Sequence, residues 1–223
     1  MKPELQLRQL TFGYNGIALL EPSDLLMSGG QLVGLCGLNG SGKSSLFRII
    51  AGLETNYTGD VLLNGQSLRN TSIIERSQNI AVVTTERPRL EGIDVWTLFE
   101  MAAHGRVNPE QMAQHIEHCL HVTDTAHMAH RRLAHLSDGE LQKVMFGRAL
   151  AQNTSILLAD EPTAFLDYRA KQELTALMRK LAHDQNKLIF FSSHDLELVK
   201  EFADIRYALA NGKLNRIAED QLI

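Results

Sequence analysis

The sequence predicts an α/β fold built on a largely parallel sheet, on three observations. Short apolar runs that read as buried strands alternate with stretches of helical period. A glycine-rich turn stands between the first buried strand and the first helix. Two further apolar runs end in clusters of acidic or imidazole groups, where open α/β sheets place their ligands. The 223 residues are enough for one large core.

The elements follow in order. Leu5–Tyr14 alternates like an edge strand. Gln31–Leu38 is a short, mostly apolar run ending in glycines, and Ser44–Leu53 follows with helical spacing that stops at Gly52. Gly59–Gln66 reads as strand then turn, and Asn79–Thr85 as another strand. From Val95 to about Ala134 the chain turns helical, polar and His-rich, and the block from about Val95 to Gln152 reads as an insertion on the sheet. Thr154–Asp160 and Lys187–Asp195 are buried strands. Between them lies an amphipathic helix with Leu174, Leu177, Met178 and Leu181 on one face. Ile205–Leu214 reads as a hairpin with Asn-Gly at its turn.

Hydrophobic residues make up 44% and charged residues 22%, the balance of a soluble globular chain. A net charge of −4 argues against bulk nucleic-acid binding, which needs a basic face. Two cysteines, Cys36 and Cys119, rule out a disulfide framework and fit a reducing, cytosolic compartment. The N-terminus has no apolar h-region and no run approaches a membrane span, so neither signal peptide nor transmembrane segment is expected.

Gly37–Ser44, "GLNGSGKS", matches G-x-x-x-x-G-K-[ST] in full, with strand before and helix after. The glycines Gly37, Gly40 and Gly42 let the backbone curl around phosphate, and Asn39, Ser41 and Ser45 stand in or beside the same loop. The helix N-terminus favours the same anion. Lys43 supplies charge to the β- and γ-phosphates, and Ser44 offers a hydroxyl to Mg²⁺. The run "ILLADEP" brings Asp160 to a strand end as a second metal ligand. Glu161 beside it is costly unless it has work, and reads as the base for an attacking water. His194 ends the next strand, and its position assigns it to the γ-phosphate and that water.

In "HLSDGELQKVMFGRALAQ", Ser137 is a helix N-cap and Glu140 completes a capping box. Gly139 in the first turn costs helix stability.

These pieces, in order, resemble the ATP-binding subunit of an ABC transporter over essentially the whole chain. The run is Tyr14, "GLNGSGKS", "LSDGE", "ILLADEPTAFLD" and "SSHD". The resemblance implies a P-loop NTPase with a RecA-like core, an N-terminal antiparallel β subdomain and an inserted helical subdomain. Residues 1–223 then form a single domain, with the core at about 1–92 and 153–223 and the helical subdomain at about 93–152. It implies ATP and Mg²⁺ as cofactors and Tyr14 as the adenine-stacking ring. Ser137 and Gly139 become contacts to the γ-phosphate of the other subunit's ATP, and Asp167 a contact to the partner. A homodimer follows, with two ATPs sandwiched between subunits, paired with two permease subunits and, through them, a substrate-binding protein. No nucleic acid is involved, and the location implied is cytoplasmic, peripheral on the inner face of the membrane.

Two departures stand out. The signature has Asp138 where the family commonly has glycine and Glu140 where it has glutamine. Where the family has a glutamine that contacts Mg²⁺, this chain has Thr85, with Glu86 next to it as the metal candidate. Leu90–Arg106 resembles the matching segment of iron-siderophore, haem and vitamin B12 importers. A soluble ABC-type ATPase of DNA repair or translation would carry coiled-coil insertions or tandem domains. A small-molecule P-loop kinase would not need "LSDGE". The segment His115–His121, "HIEHCLH", has metal-binding residue types, but one helix cannot converge four ligands, so a polar helix face is the better reading. Leu98, Phe99 and Met101 are read as core or as part of a patch that receives the permease.

Overall fold

In the computed structural model, which describes residues 2–14, 16–84 and 92–218, the strands fall into two sheets. The first is antiparallel. Strand β1 (Glu4–Tyr14) pairs with β2 (Ile17–Ser28) on one side and with β4 (Thr58–Leu63) on the other, and β4 continues to the short β5 (Gln66–Ser67). The second sheet has the order β10-β9-β3-β8-β7-β6. Its strands are β3 (Gln31–Cys36), β6 (Ile80–Val83), β7 (Ile156–Ala159), β8 (Leu188–Ser193), β9 (Ile205–Ala210) and β10 (Lys213–Arg216). All neighbours in it are parallel except the β9–β10 hairpin, which turns at Asn211-Gly212 with both φ positive.

The fold class is as expected, with two differences. Strand β1 is not an edge: β4 returns to its free side and leaves β2 outermost. Strand β2 has no expected counterpart. Its Pro22 and polar run Glu21–Asp24 break the strand signal, and an edge position tolerates both.

Helix α1 (Lys43–Ile50) follows β3, and α2 (Ile73–Asn79) precedes β6. Helices α3 (Val95–Ala103), α4 (Met112–Val122) and α5 (Asp138–Ala151) lie between β6 and β7. Helix α6 (Tyr168–Asp184) carries Leu174, Met178 and Leu181 to the core, and α7 (Leu196–Phe202) follows β8.

The parallel strands are apolar on both faces, as strands covered on both sides must be. Alternate residues feed two cores. Leu32, Val83, Leu157, Ile189 and Phe191 join Phe99, Phe146 and Met178 from the helices. Val33, Leu35, Ile156, Leu158 and Phe190 join Leu5, Leu7 and Met27 from the antiparallel sheet. Phe47 of α1 stacks on Phe190 with ring centroids 4.7 Å apart. Leu98 and Phe99 are therefore core, whereas Met101 is 60% exposed.

Helices α3–α5 share one core with the sheet. A short ladder ties the start of this segment to the stretch before α5. Leu133 N–H donates to the Ile93 carbonyl, Val95 N–H to that of Arg131, and Trp96 N–H to that of Ala129. Asp94 caps α3 through Thr97 N–H at 2.8 Å. In "HIEHCLH", His115 Nε2 lies 3.1 Å from the Ala151 carbonyl. Burial pushes the Cys119 thiol up to about 11, which leaves it protonated and inert.

Candidate functional site

The site grows from the C-terminal ends of three neighbouring strands, β3, β8 and β7. Each end delivers a different chemistry.

After Cys36 the chain leaves β3 through Gly37–Gly42 and enters α1. Gly42 is the N-cap at φ 103°, and no side chain caps the helix. A Cβ there meets Leu19 and the Phe12 ring at 3.2–3.5 Å, so the position is both left-handed and crowded. Gly40 also has positive φ, at 79°, and its outer side is open. The first turn of α1 contains no acid, so its amide dipoles are not offset by negative charge. Leu38, Asn39 and Gly40 are exposed, as is Ser44, and Ser45 is half-buried.

Lys43 is only 6% exposed. Its Nζ donates to the carbonyls of Gly37 (2.7 Å) and Leu38 (3.1 Å) and pairs with Glu161 Oε1 at 3.7 Å. The Ser41 hydroxyl is buried without a hydrogen-bond partner. A buried hydroxyl left unpaired costs about 1–3 kcal/mol. It fits a ligand oxygen that completes the loop, so the residues present suit a phosphate.

At the end of β7, Asp160 is buried and Glu161 follows at φ 49°, a strained turn for a non-glycine residue. The strain has a visible holder. Ser192, fully buried at the end of β8, donates its hydroxyl to Asp160 Oδ1 at 2.6 Å and accepts Glu161 N–H at 2.9 Å. Glu161 is held at both oxygens: Oε1 faces Lys43 and Oε2 lies 2.9 Å from His194 Nδ1. Lys43, Asp160, Glu161 and His194 are thus brought together, as the spacing predicts.

Ser192 was not among the predicted site residues. Its only signal in the sequence is a pair of serines closing an otherwise apolar strand that is buried on both faces.

The other expected residues stand elsewhere. Tyr14 lies at the end of β1 where the β1–β2 hairpin turns, 41% exposed. Glu86 and Thr85 lie outside the described residues. Ser137 caps α5: its hydroxyl accepts Glu140 N–H, and Glu140 Oε2 accepts both Ser137 N–H (2.7 Å) and the Ser137 hydroxyl (2.9 Å). These bonds, with Arg131 at the other oxygen, hold the Glu140 carboxyl down at about 2. Gly139 has an intrachain reason to be small. A Cβ there meets the Phe165 carbonyl at 3.3 Å and Leu166 at 3.5 Å, in the turn between Glu161 and α6. Asp167 caps α6 through Ala170 N–H at 2.8 Å.

The chain is similar to several known proteins. A protein-family model described as ABC transporter matches residues 20–164. The hemin import ATP-binding protein HmuV of Bordetella pertussis is 34% identical over 221 residues, covering 94% of this chain and 84% of that one. The sulfate/thiosulfate import ATP-binding protein CysA of Synechocystis is 32% identical over 205 residues, covering 92% of this chain and 57% of that one. The dimeric structure of MJ0796, a bacterial ABC transporter cassette, superposes with a TM-score of 0.88 at 24% identity, over 98% of this chain and 100% of that one.

Proposed function

From the premise that this chain belongs to the ABC transporter family and is one of its ATPases, we propose that it is the motor subunit of an importer. It works as a homodimer that sandwiches two ATPs beneath two permease subunits, which a substrate-binding protein serves from the far side. Among the described residues no helix is long and apolar enough to cross a membrane, so the permease supplies the span.

The cluster of Lys43, Glu161 and His194 at adjoining strand ends carries the mechanism. Lys43 and the α1 N-terminus hold the β- and γ-phosphates, the Ser41 hydroxyl supplies a further donor, and Tyr14 stacks on adenine. Ser44 and Asp160, with Glu86, are the residues to hold Mg²⁺. The ion would neutralise charge on the phosphate oxygens. In the free chain both Glu161 oxygens are taken. Phosphate arriving at Lys43 draws that cation away from Oε1 and frees it to accept a proton from water. His194 stays on Oε2 and keeps the carboxylate aimed. Ser192 fixes the backbone on which Glu161 turns.

A groove of about 240 Å³ lined by Leu53, Ile73, Arg76, Ser77 and Arg148 is the surface proposed for the permease. Leu53 and Ile73 are 61% and 77% exposed there, apolar side chains that gain by being covered. For the cargo, an iron-siderophore, haem or cobalamin-type substrate has the support of the Leu90–Arg106 resemblance and of the hemin-import relative. The sulfate-import relative at 32% identity supports the competing reading.

Purification of the tagged chain from its own membranes tests the proposal. Two membrane subunits should accompany it, and uptake of labelled haem or ferric siderophore should fail when the chain is removed. Loss of sulfate uptake instead changes the cargo. Recovery with nucleic acid and no membrane subunit sinks the transport reading.

A further inference from the structure

Arg131 lies outside every motif, yet it reaches the signature. Its Nη1 donates to Glu140 Oε1 at 2.7 Å and its Nη2 to the His135 carbonyl at 2.8 Å. Its backbone is fixed in turn, because its carbonyl accepts Val95 N–H in the ladder that leads into α3. The other oxygen of Glu140 holds the Ser137 backbone and hydroxyl. Guanidinium, carboxylate and serine therefore form one chain of contacts ending at the N-terminus of α5.

That end is electrostatically odd. Its first turn carries Asp138 and Glu140, whereas the first turn of α1 carries no acid. A phosphate docking at α5 approaches two carboxylates, and like charges this close repel. The guanidinium lies against one of them. We propose that Arg131 is a positioning residue for the partner's nucleotide: it holds Glu140 against the Ser137 backbone N–H and cancels its charge, so that the α5 amides receive the γ-phosphate and the Ser137 hydroxyl turns its proton from Glu140 Oε2 to join them. The proposal rests on the reading that Ser137 meets ATP across a homodimer.

ATP titration of dimer formation by the full chain, in a Glu161→Gln background that prevents turnover, tests it. Nucleotide binding to the monomer is measured in parallel. Arg131→Ala should raise the ATP needed for half-maximal dimer about three- to tenfold, the scale of one charge at a helix N-terminus counted at two sites, with monomer binding unchanged. Glu140→Gln removes the charge that needs cancelling, so Arg131→Ala combined with it should return to within about twofold of the parent. A structural role through the His135 carbonyl alone would leave the double variant as weak as Arg131→Ala, and that result overturns the proposal. Arg131→Lys retains the charge without the fork and should fall between the two. If Arg131→Ala does not fold, the same comparison is made with Arg131→Lys: a defect that persists beside Glu140→Gln overturns the proposal. Ser137→Ala separates the premise from the proposal. If it leaves dimer formation untouched, the premise fails and the proposal with it. If it weakens closure while Arg131→Ala does not, only the proposal fails.

Discussion

Two helix starts in this molecule are read as facing phosphate, and they are built in opposite ways. Helix α1 opens on a left-handed glycine with no side-chain cap and no acid in its first turn. Helix α5 opens on a full capping box, with Asp138 and Glu140 in its first turn. The first leaves its donors for a ligand. The second spends two of its donors on its own capping box and sets two acids beside the rest, one of them paired with Arg131. On the proposed reading, a single subunit loads nucleotide at α1, while α5 receives phosphate only when a partner brings it. The lesson is that a helix N-terminus can take an anion unaided when its own side chains leave it free, and needs its acids offset when they do not.

The largest expected effect breaks the cycle after both ends have engaged. Glu161→Gln should lower kcat by about 10²–10⁴-fold, the usual contribution of a general base, while ATP-bound dimers accumulate on size exclusion. Unchanged turnover would remove Glu161 from the chemistry. The next pair separates the two helix starts. Lys43→Ala should weaken ATP binding by the monomer about 10–100-fold, the scale of a hydrogen bond to a charged group. Ser137→Ala should leave that binding unchanged and weaken ATP-driven dimer formation. If both variants lose monomer binding, the contrast between the two ends is wrong.

Smaller effects concern what supports each end. Ser192→Ala strips a buried partner from Asp160 and from Glu161 N–H, and should destabilise the chain by about 1–3 kcal/mol in denaturant titration. It should also lower kcat, because the turn at Glu161 loses its holder. The smallest effect is at the α5 cap. The Glu140 carboxyl is held down from 4.5 to about 2. Its contribution is therefore complete above about pH 4.5 and is lost as pH falls towards 2. In acid titrations, the stability difference between the parent and Glu140→Gln should shrink across that window.

How much of this was legible in the sequence depended on whether a residue's partners are near it in the chain. The P-loop was legible because one octapeptide holds the whole device, and the Ser137–Glu140 box because its partners are three apart. Asp160, Glu161 and His194 were legible because parallel strands deliver their ends to one edge. Ser192 was not, since its bonds to Asp160 and Glu161 cross from β8 to β7 and depend on strand register. Strand β2 was missed because Pro22 breaks its pattern. The edge position of β1 was misjudged because alternation along one strand says nothing about what returns to pair with it. The smallness of Gly139 looked like a demand of a distant ligand, and part of it is a contact with the Phe165 carbonyl.

The central sheet has two dry faces, and this decides what happens if the chain is trimmed. Removing the segment 93–152 to obtain a minimal nucleotide binder would strip Phe99, Phe146 and Leu150 from the core they share with Val83 and Leu157. The apolar surface left bare would be open to other copies of the chain. The product would precipitate rather than survive as a smaller ATPase. The helical insertion is thus a coat for the sheet as well as a carrier of the signature, and the two duties cannot be separated by cutting.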